Sequence, residues 1–275
     1  MRHRGAPYAA AMARQRVPEG PAPEPAVQKL RIRYAKRGRL RFSSTRDFQR
    51  ALERALRRAG VPMAFSAGFH PHPRISYANA APTGTASEAE YVEIAVTARV
   101  DPEALRAALD EALPPGLDVV RVVEAAPGAL ADRLQASHWV VAFPGLDAAD
   151  LESAVAGLLE RDEVLVTRRV KTGDRTFDVR SAVVRLEVTT REAVTAGGDT
   201  VVGLPVGEGP CAILTAVVRH TTPVVRPDDL LTALRTVAAL QPPVSPLVTR
   251  LAQGPLDAHH EVTDPLATTQ EAVGG

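Results

Sequence analysis

The sequence predicts an α+β fold of two tandem ferredoxin-like (βαββαβ) domains with antiparallel sheets. Three observations lead to it. Residues 29–124 carry, in order, a stretch of apolar period two, one of period near 3.6, two more of period two, a second helical stretch and a closing Val-rich run. A looser copy of that order runs over 138–251. With 275 residues and 45% hydrophobic content, two cores of ordinary size fit better than one large one.

Residues 1–27 interleave Pro18, Pro21, Pro23 and Pro25 with glycine and alanine and show no periodicity, so a disordered leader is expected. From Lys29, the residues Leu30, Ile32 and Tyr34 alternate with Lys29, Arg31 and Arg33, which reads as a half-buried strand with a wholly basic polar face. Gly38 allows a turn, and Leu40 and Phe42 continue the alternation against Arg39 and Arg41. Ser44 and Asp47 have the spacing of a capping box, so a helix is expected to start there. Phe48, Ala51, Leu52, Ala55, Leu56 and Ala59 supply its core face. Arg46, Arg50, Arg54 and Arg57/Arg58 recur with a stride of about four, one stripe along roughly 18 Å of helix. Gly60 and Pro62 end it.

Residues 61–66, 75–81 and 90–97 are expected as strands. Asp101 and Pro102 sit at the N-cap and N1 positions of a second helix, which the Pro114-Pro115-Gly116 run ends. A strand over 117–124 closes a basic first domain at 28–126. The second domain, 134–251, is expected to hold a strand over 138–143, a helix over 147–161, strands over 163–170, 178–189 and 211–220, a helix opening at Pro227, and an edge strand over 244–251. Glycine and proline between 196 and 210 suggest a loop or hairpin tip, and 252–275 reads as a flexible tail.

The single cysteine, Cys211, excludes an internal disulfide framework and a Cys-rich zinc or iron–sulfur site. It is expected to be a small buried hydrophobe. No apolar run reaches the roughly eighteen residues of a membrane span, and the first residues are too weakly hydrophobic for a signal peptide. The expectation is a cytoplasmic protein without a cofactor.

The formal net charge of +1 hides a strong asymmetry. Residues 29–74 hold thirteen Lys/Arg against Asp47 and Glu53, a net of +11, while residues 75–275 sum to −12. That segregation is what a phosphate backbone or an acidic partner would read. The candidate phosphate contacts are Lys36, Arg37, Arg39, Arg41, Arg46, Arg50, Arg54, Arg57, Arg58 and Arg74. RNA is favoured over DNA, because no helix-turn-helix, zinc-finger or basic-zipper pattern is present and ferredoxin-like sheets engage single strands. The open alternatives are a solvated basic face, one docked on the chain's own acidic remainder, and one that docks an acidic partner protein.

The loop formed by Gly68, Phe69, His70, Pro71, His72 and Pro73 is the candidate shaped contact. His70 and His72 are candidates for acid and base in RNA transesterification, since free imidazoles titrate near neutrality. As an i, i+2 pair they have two of the ligands a zinc ion needs, but no third lies nearby. The plainer reading is a loop stiffened by its prolines, with Gly68 admitting close backbone approach. Glu88, Glu90 and Glu93 are either solvated acids or a cation site. The 84–90 segment lacks the Gly-Lys-Ser/Thr of a phosphate loop. Lys171, Asp178 and Arg180 bracket a turn where an ion pair is expected to support a hairpin.

The run Arg39-Leu-Arg-Phe-Ser-Ser-Thr-Arg-Asp-Phe-Gln-Arg-Ala-Leu-Glu-Arg-Ala-Leu-Arg-Arg-Ala-Gly60, with Ala67-Gly-Phe-His-Pro-His-Pro-Arg-Ile-Ser76 and Ser87-Glu-Ala-Glu-Tyr91, resembles the radical-SAM-linked domain family of unknown function. The resemblance spans about 28–250. It implies a stand-alone form of a domain otherwise fused behind a radical-SAM protein, often encoded beside an E/G-type ribonuclease, and so a partner of one of those kinds. The chain lacks a CxxxCxxC motif and is not itself such a catalyst. A more distant, fold-level similarity is to CRISPR repeat-processing endoribonucleases, which pair two ferredoxin-like domains. Where the family usually has histidine at the start of the first helix, this chain has Thr45, which weakens a nuclease reading. The expected function is a non-catalytic RNA-binding accessory protein. A metal-independent endoribonuclease using His70 or His72, and a module docking an acidic partner, are the alternatives.

Overall fold

A computed structural model of the chain describes residues 23–190, 194 and 209–267. Its architecture is mixed α+β, with a mostly antiparallel sheet and several helices. The strand β1 (Gln28–Lys36) turns Leu30, Ile32 and Tyr34 into the core, as its alternation requires. A 3-10 turn over Gly38–Phe42 follows where the alternation predicted more strand. The helix α1 (Thr45–Arg58) starts at the capping box: Asp47 N–H reaches the Ser44 hydroxyl at 3.2 Å and Ser44 N–H reaches the Asp47 carboxylate at 3.1 Å. Gly60, at φ +64, supplies the left-handed residue that lets the chain leave the helix.

Residues 61–66 make no strand. Met63 and Phe65 form only isolated bridges, to Val96 and Pro73. The reason is competition for one edge: β2 (Ile75–Ala78) already pairs with β3 (Ala86–Val96) from Ile94 to Tyr91. On its other edge β3 pairs antiparallel with β1. Asp101 caps α2 (Pro102–Ala112), accepting the Ala104 N–H at 2.8 Å, and Pro102 occupies the first helical position. The strand β4 (Val119–Glu124) then pairs antiparallel with β1, giving the order β4-β1-β3-β2.

After a short helix α3 (Leu130–Arg133), β5 (Ala136–Pro144) and α4 (Ala148–Leu159) begin the second half. The strands β6 (Leu165–Val170) and β7 (Gly173–Asp178) form a separate two-stranded hairpin. The expected strand over 178–189 is therefore split. Asp178 accepts N–H groups from Val164, Arg180 and Ser181, which caps a 3-10 turn at Arg180–Ala182 and takes the place of the expected ion pair. The chain continues through β8 (Val183–Thr189), β9 (Cys211–Arg219), α5 (Pro227–Ala238) and β10 (Leu247–Gly254). The order is β10-β5-β9-β8, the order of the first half with the hairpin inserted. The expected loop over 196–210 falls almost wholly outside the described residues, as do residues 1–22 of the expected leader.

One strand departs most from expectation. Read from sequence as an edge, β10 is central: it pairs antiparallel with β5 on one side and parallel with β3 on the other, through Thr249 opposite Ala86 and Arg250 opposite Ser87. That contact fuses two four-stranded sheets into one. Residues 252–267 do not leave the fold as the expected tail would. β10 runs to Gly254, Leu266 is buried, and the Asp264 carboxylate accepts a hydrogen bond from Arg121 at 2.6 Å.

Two large apolar clusters result, Leu30, Ile32, Phe48, Leu52 and Leu109 among others in the first half and Phe143, Leu151, Leu158, Leu214 and Leu230 among others in the second. They lie on the same face of the sheet, because Arg250, directly opposite Trp139 of the second cluster, meets Glu90, directly opposite Tyr34 of the first. No described helix is long and apolar enough to cross a membrane.

Glu90 and Arg250 are both almost fully buried and hydrogen-bonded across the junction. Burial opposes ionisation of Glu90, but the Arg250 charge and hydrogen bonds from Ser87, Arg250 and the Ala81 N–H outweigh it and hold the carboxyl below its usual range. A depressed carboxylate contributes stability that is complete above its unfolded value, about 4.3, and lost as pH falls through the folded value. Urea denaturation should show Arg250→Met destabilised by about 3–5 kcal/mol, the cost of leaving one buried charge without its partner. Glu90→Gln should flatten the pH dependence of stability below about pH 4.3; an unchanged acid limb would remove Glu90 from the account.

Candidate nucleic-acid interface

The basic strand face is not open to a ligand. Every cation that β1 carries is engaged by the chain itself, Lys29 and Arg31 by a β3 carboxylate and Arg33 and Lys36 by backbone carbonyls. Arg31 is buried, its Nε 2.9 Å from Glu93 and its Nη2 on the Gly128 carbonyl, and Lys29 reaches Glu93 at 3.5 Å. Arg33 donates to the Glu88 carbonyl at 2.8 Å. Arg37 is held by Glu88 and by Asp118, the latter at 2.8 Å, and the hydrogen bonds to Glu88, with smaller help from Asp118, raise its pKa further. The sequence left open whether basic side chains dock on the chain's own acids; on β1 they do.

Lys36, expected among the phosphate contacts, is buried. Its ammonium donates to the carbonyls of Ala81 and Pro82 at 3.3 and 3.2 Å. Desolvation lowers its pKa against the attraction of Glu90. Lys36 is a structural cation of the junction, and Arg37 is engaged by two carboxylates. Glu88, Glu90 and Glu93 are thereby neither solvated nor a cation site: each faces a cation of the chain.

The helix stripe behaves differently. Arg46, Arg50, Arg54, Arg57 and Arg58 are all exposed on α1. Arg58 donates to the Ala112 carbonyl at 3.1 Å. The other four make no ion pair among the described residues. Glu53 shares their side of the helix, and Asp47 is occupied by the capping box. Ahead of the helix, Arg39 is exposed, and the Arg41 guanidinium lies 4.8 Å from the centre of the Phe42 ring. Phe42 itself is 59% exposed. Its period-two placement predicted a core position, and the 3-10 turn reverses that. An exposed aromatic ring with a guanidinium against it, at the start of an arginine row, is the kind of surface that single-stranded nucleic acids use for stacking and phosphate contact.

The loop over 68–73 stands at the far end of the stripe. A cleft of about 180 Å³ lies between Leu56 and Arg57 of α1 and Phe65 and Pro73 at the loop's base. Phe69 is 61% exposed, and Ser66 and His72 exchange hydrogen bonds that close the loop. Gly68 is required by its backbone, at φ +127, rather than by close approach: a Cβ there would meet nothing within 4 Å. The His70 and His72 rings are exposed and without hydrogen-bond partners among the described residues. No group of three metal-ligating side chains occurs among the described residues. Arg74 is exposed and lines a separate cleft of about 250 Å³ with His72, Lys29 and Glu93, beside the sheet rather than along the stripe.

Residues 29–227 match the family described as an uncharacterized protein conserved in bacteria (DUF2344), and the chain belongs to that family. No curated protein matches it.

The two kinds of basic residue separate by stability. Arg54→Glu and Arg57→Glu, at exposed sites without partners, should each move unfolding free energy by no more than about 0.5 kcal/mol. Lys36→Ala, which removes the donor from two carbonyls and leaves a void, should cost about 1–3 kcal/mol. Thermal denaturation of the three variants measures the contrast.

Proposed function

We propose that this member of the DUF2344 family is a non-catalytic RNA-binding accessory protein that takes a single strand along α1. The observation that carries the reading is the row Arg46, Arg50, Arg54 and Arg57, exposed on one helix face without ion-pair partners among the described residues, beside the exposed ring of Phe42. Arg39, Arg41 and Arg58 extend the row at either end. Supporting a tandem ferredoxin-like reading, the two halves share one strand order and, apart from the inserted β6–β7 hairpin, one element order. A cytoplasmic location and a radical-SAM or E/G-type ribonuclease partner complete the proposal, on the strength of the sequence resemblance.

Catalysis by His70 or His72 has less support, because neither ring is oriented by a neighbouring group among the described residues. Filter binding with a single-stranded RNA tests the reading. The affinity should fall with salt at a slope of about −0.7 per phosphate contacted. Combining Arg46→Glu, Arg50→Glu and Arg54→Glu should remove about 0.7 of a unit of slope per arginine, about two units in all. His70→Ala with His72→Ala should leave affinity unchanged, and gels should show the RNA intact after incubation with wild type. Salt-independent binding, or none at low salt, would transfer the arginine row to an acidic protein partner; cleavage lost in the histidine variant would establish the nuclease.

A further inference from the structure

A third cleft, of about 200 Å³, opens where the two halves of the sheet meet, on the helix-bearing face. Asn79 and Pro82 reach it from the loop between β2 and β3, Trp139 from β5, Arg250 from β10, and Val224 and Arg226 from the segment leading into α5. No carboxylate lines it among the described residues. Arg226 is exposed, and its guanidinium makes no ion pair among the described residues. Arg250 lies with its guanidinium carbon 5.1 Å from the centre of the Trp139 ring while its Nη2 is held by Glu90, so a planar cation is clamped in one orientation at the wall of the cleft.

The polar groups there are set for recognition rather than for acid–base work. His220 has both ring nitrogens committed: Nδ1 lies 2.7 Å from the Leu134 carbonyl, which takes its proton, and Nε2 then accepts from the Ser137 hydroxyl at 2.8 Å. Burial, with Arg250 adding to it, lowers the His220 pKa and keeps the ring neutral near pH 7. Asn79 adopts φ 41, a left-handed conformation that Asn tolerates better than most residues, and its carboxamide keeps donor and acceptor capacity for the cleft.

We propose that this cleft binds one nucleotide, its base edge read by Asn79 and its phosphate on Arg226, with the buried Trp139–Arg250 pair as the back wall. The choice of a nucleotide rests on the RNA-binding reading. Asn pairs with base edges, and a free arginine at the mouth suits a phosphate. The ligand has two sources, a free mononucleotide or one residue of an RNA strand.

Trp139 is the only tryptophan in the chain, so its emission reports on this cleft alone. The full-length protein is titrated with AMP, with UMP, with inorganic phosphate and with five-residue oligonucleotides of A or U. A saturable change with at least one mononucleotide or oligonucleotide is expected, with none from phosphate. Arg226→Glu and Asn79→Asp should each weaken it tenfold or more without altering the circular dichroism spectrum. A response to AMP or UMP assigns the free nucleotide as a ligand; a response to the oligonucleotide alone assigns a strand residue. No saturable change with any of them, a change reproduced by phosphate, or variants that bind like wild type would each overturn the proposal. The variant with Arg46, Arg50 and Arg54 changed to Glu separates the two readings. If it binds a long RNA like wild type while the cleft variants lose their response, the α1 reading fails and the cleft stands; if it loses long RNA while wild type shows no emission change, the cleft fails and the α1 reading stands.

Discussion

The Glu90–Arg250 pair is the constraint on which the arrangement of the two halves depends. Backbone pairing between β3 and β10 amounts to two register positions, Ala86 with Thr249 and Ser87 with Arg250. So short a parallel contact does not by itself hold two four-stranded sheets in register, and buried side chains supply the rest. Arg250 bonds Glu90 and approaches Ser87, Gln253 donates to the Ala89 carbonyl at 2.6 Å, and Lys36 closes the end of the strand on two carbonyls. Charges this deep are tolerated only when paired and hydrogen-bonded. Their directionality fixes one placement of the halves where apolar contact alone would permit sliding. α1 and the junction cleft therefore keep a fixed relation across about 160 residues of sequence, the separation of Glu90 and Arg250.

The same acids explain why charge along the sequence overstates the available surface. Residues 29–74 sum to +11, yet Lys29 and Arg31 of β1 are met by Glu93 from the next strand, Arg37 just after β1 by Glu88 and Asp118, and Arg33 and Lys36 by backbone carbonyls. What remains uncompensated is the helix row and its flanks. An unpaired cation is cheap on a solvated helix face and expensive beneath a sheet. The fold accordingly places most of its neutralising carboxylates in β3, where burial is deep, and gives the exposed arginine side of α1 only Glu53 besides the capping Asp47.

Legibility followed the range of the determining interaction. The Ser44–Asp47 box, the Asp101-Pro102 start and the arginine stride are local signals, and each element appears where they put it. The 3-10 turn that exposes Phe42, the split at Asp178 and the short bridges of 61–66 depend on what an edge or a carboxylate has already engaged, which no local period records. β10 reads as an edge because its partner on one side, β3, lies about 160 residues away in the chain. Trp139, His220 and Arg250 carry no motif at all. Only the junction brings them to one cleft, so the second candidate site was invisible before the topology was known.

The arginine row also carries an argument from cost. Like charges at i, i+4 on a helix repel by a few tenths of a kcal/mol per pair, and Arg46, Arg50, Arg54 and Arg58 stack three such pairs in succession. The helix gains nothing structural in return, because its core face is supplied by Phe48, Leu52, Ala55 and Leu56, its start by the capping box, and its end by Gly60. Alternating acids at the same positions would hold the same helix more firmly. The row is thus a mildly repulsive charge pattern, relieved on its own side only by Glu53, with a solvent-facing phenylalanine ahead of it. On the reading proposed above, a flexible polyanion with stacking rings would engage both features, whereas an acidic protein face would engage only the first.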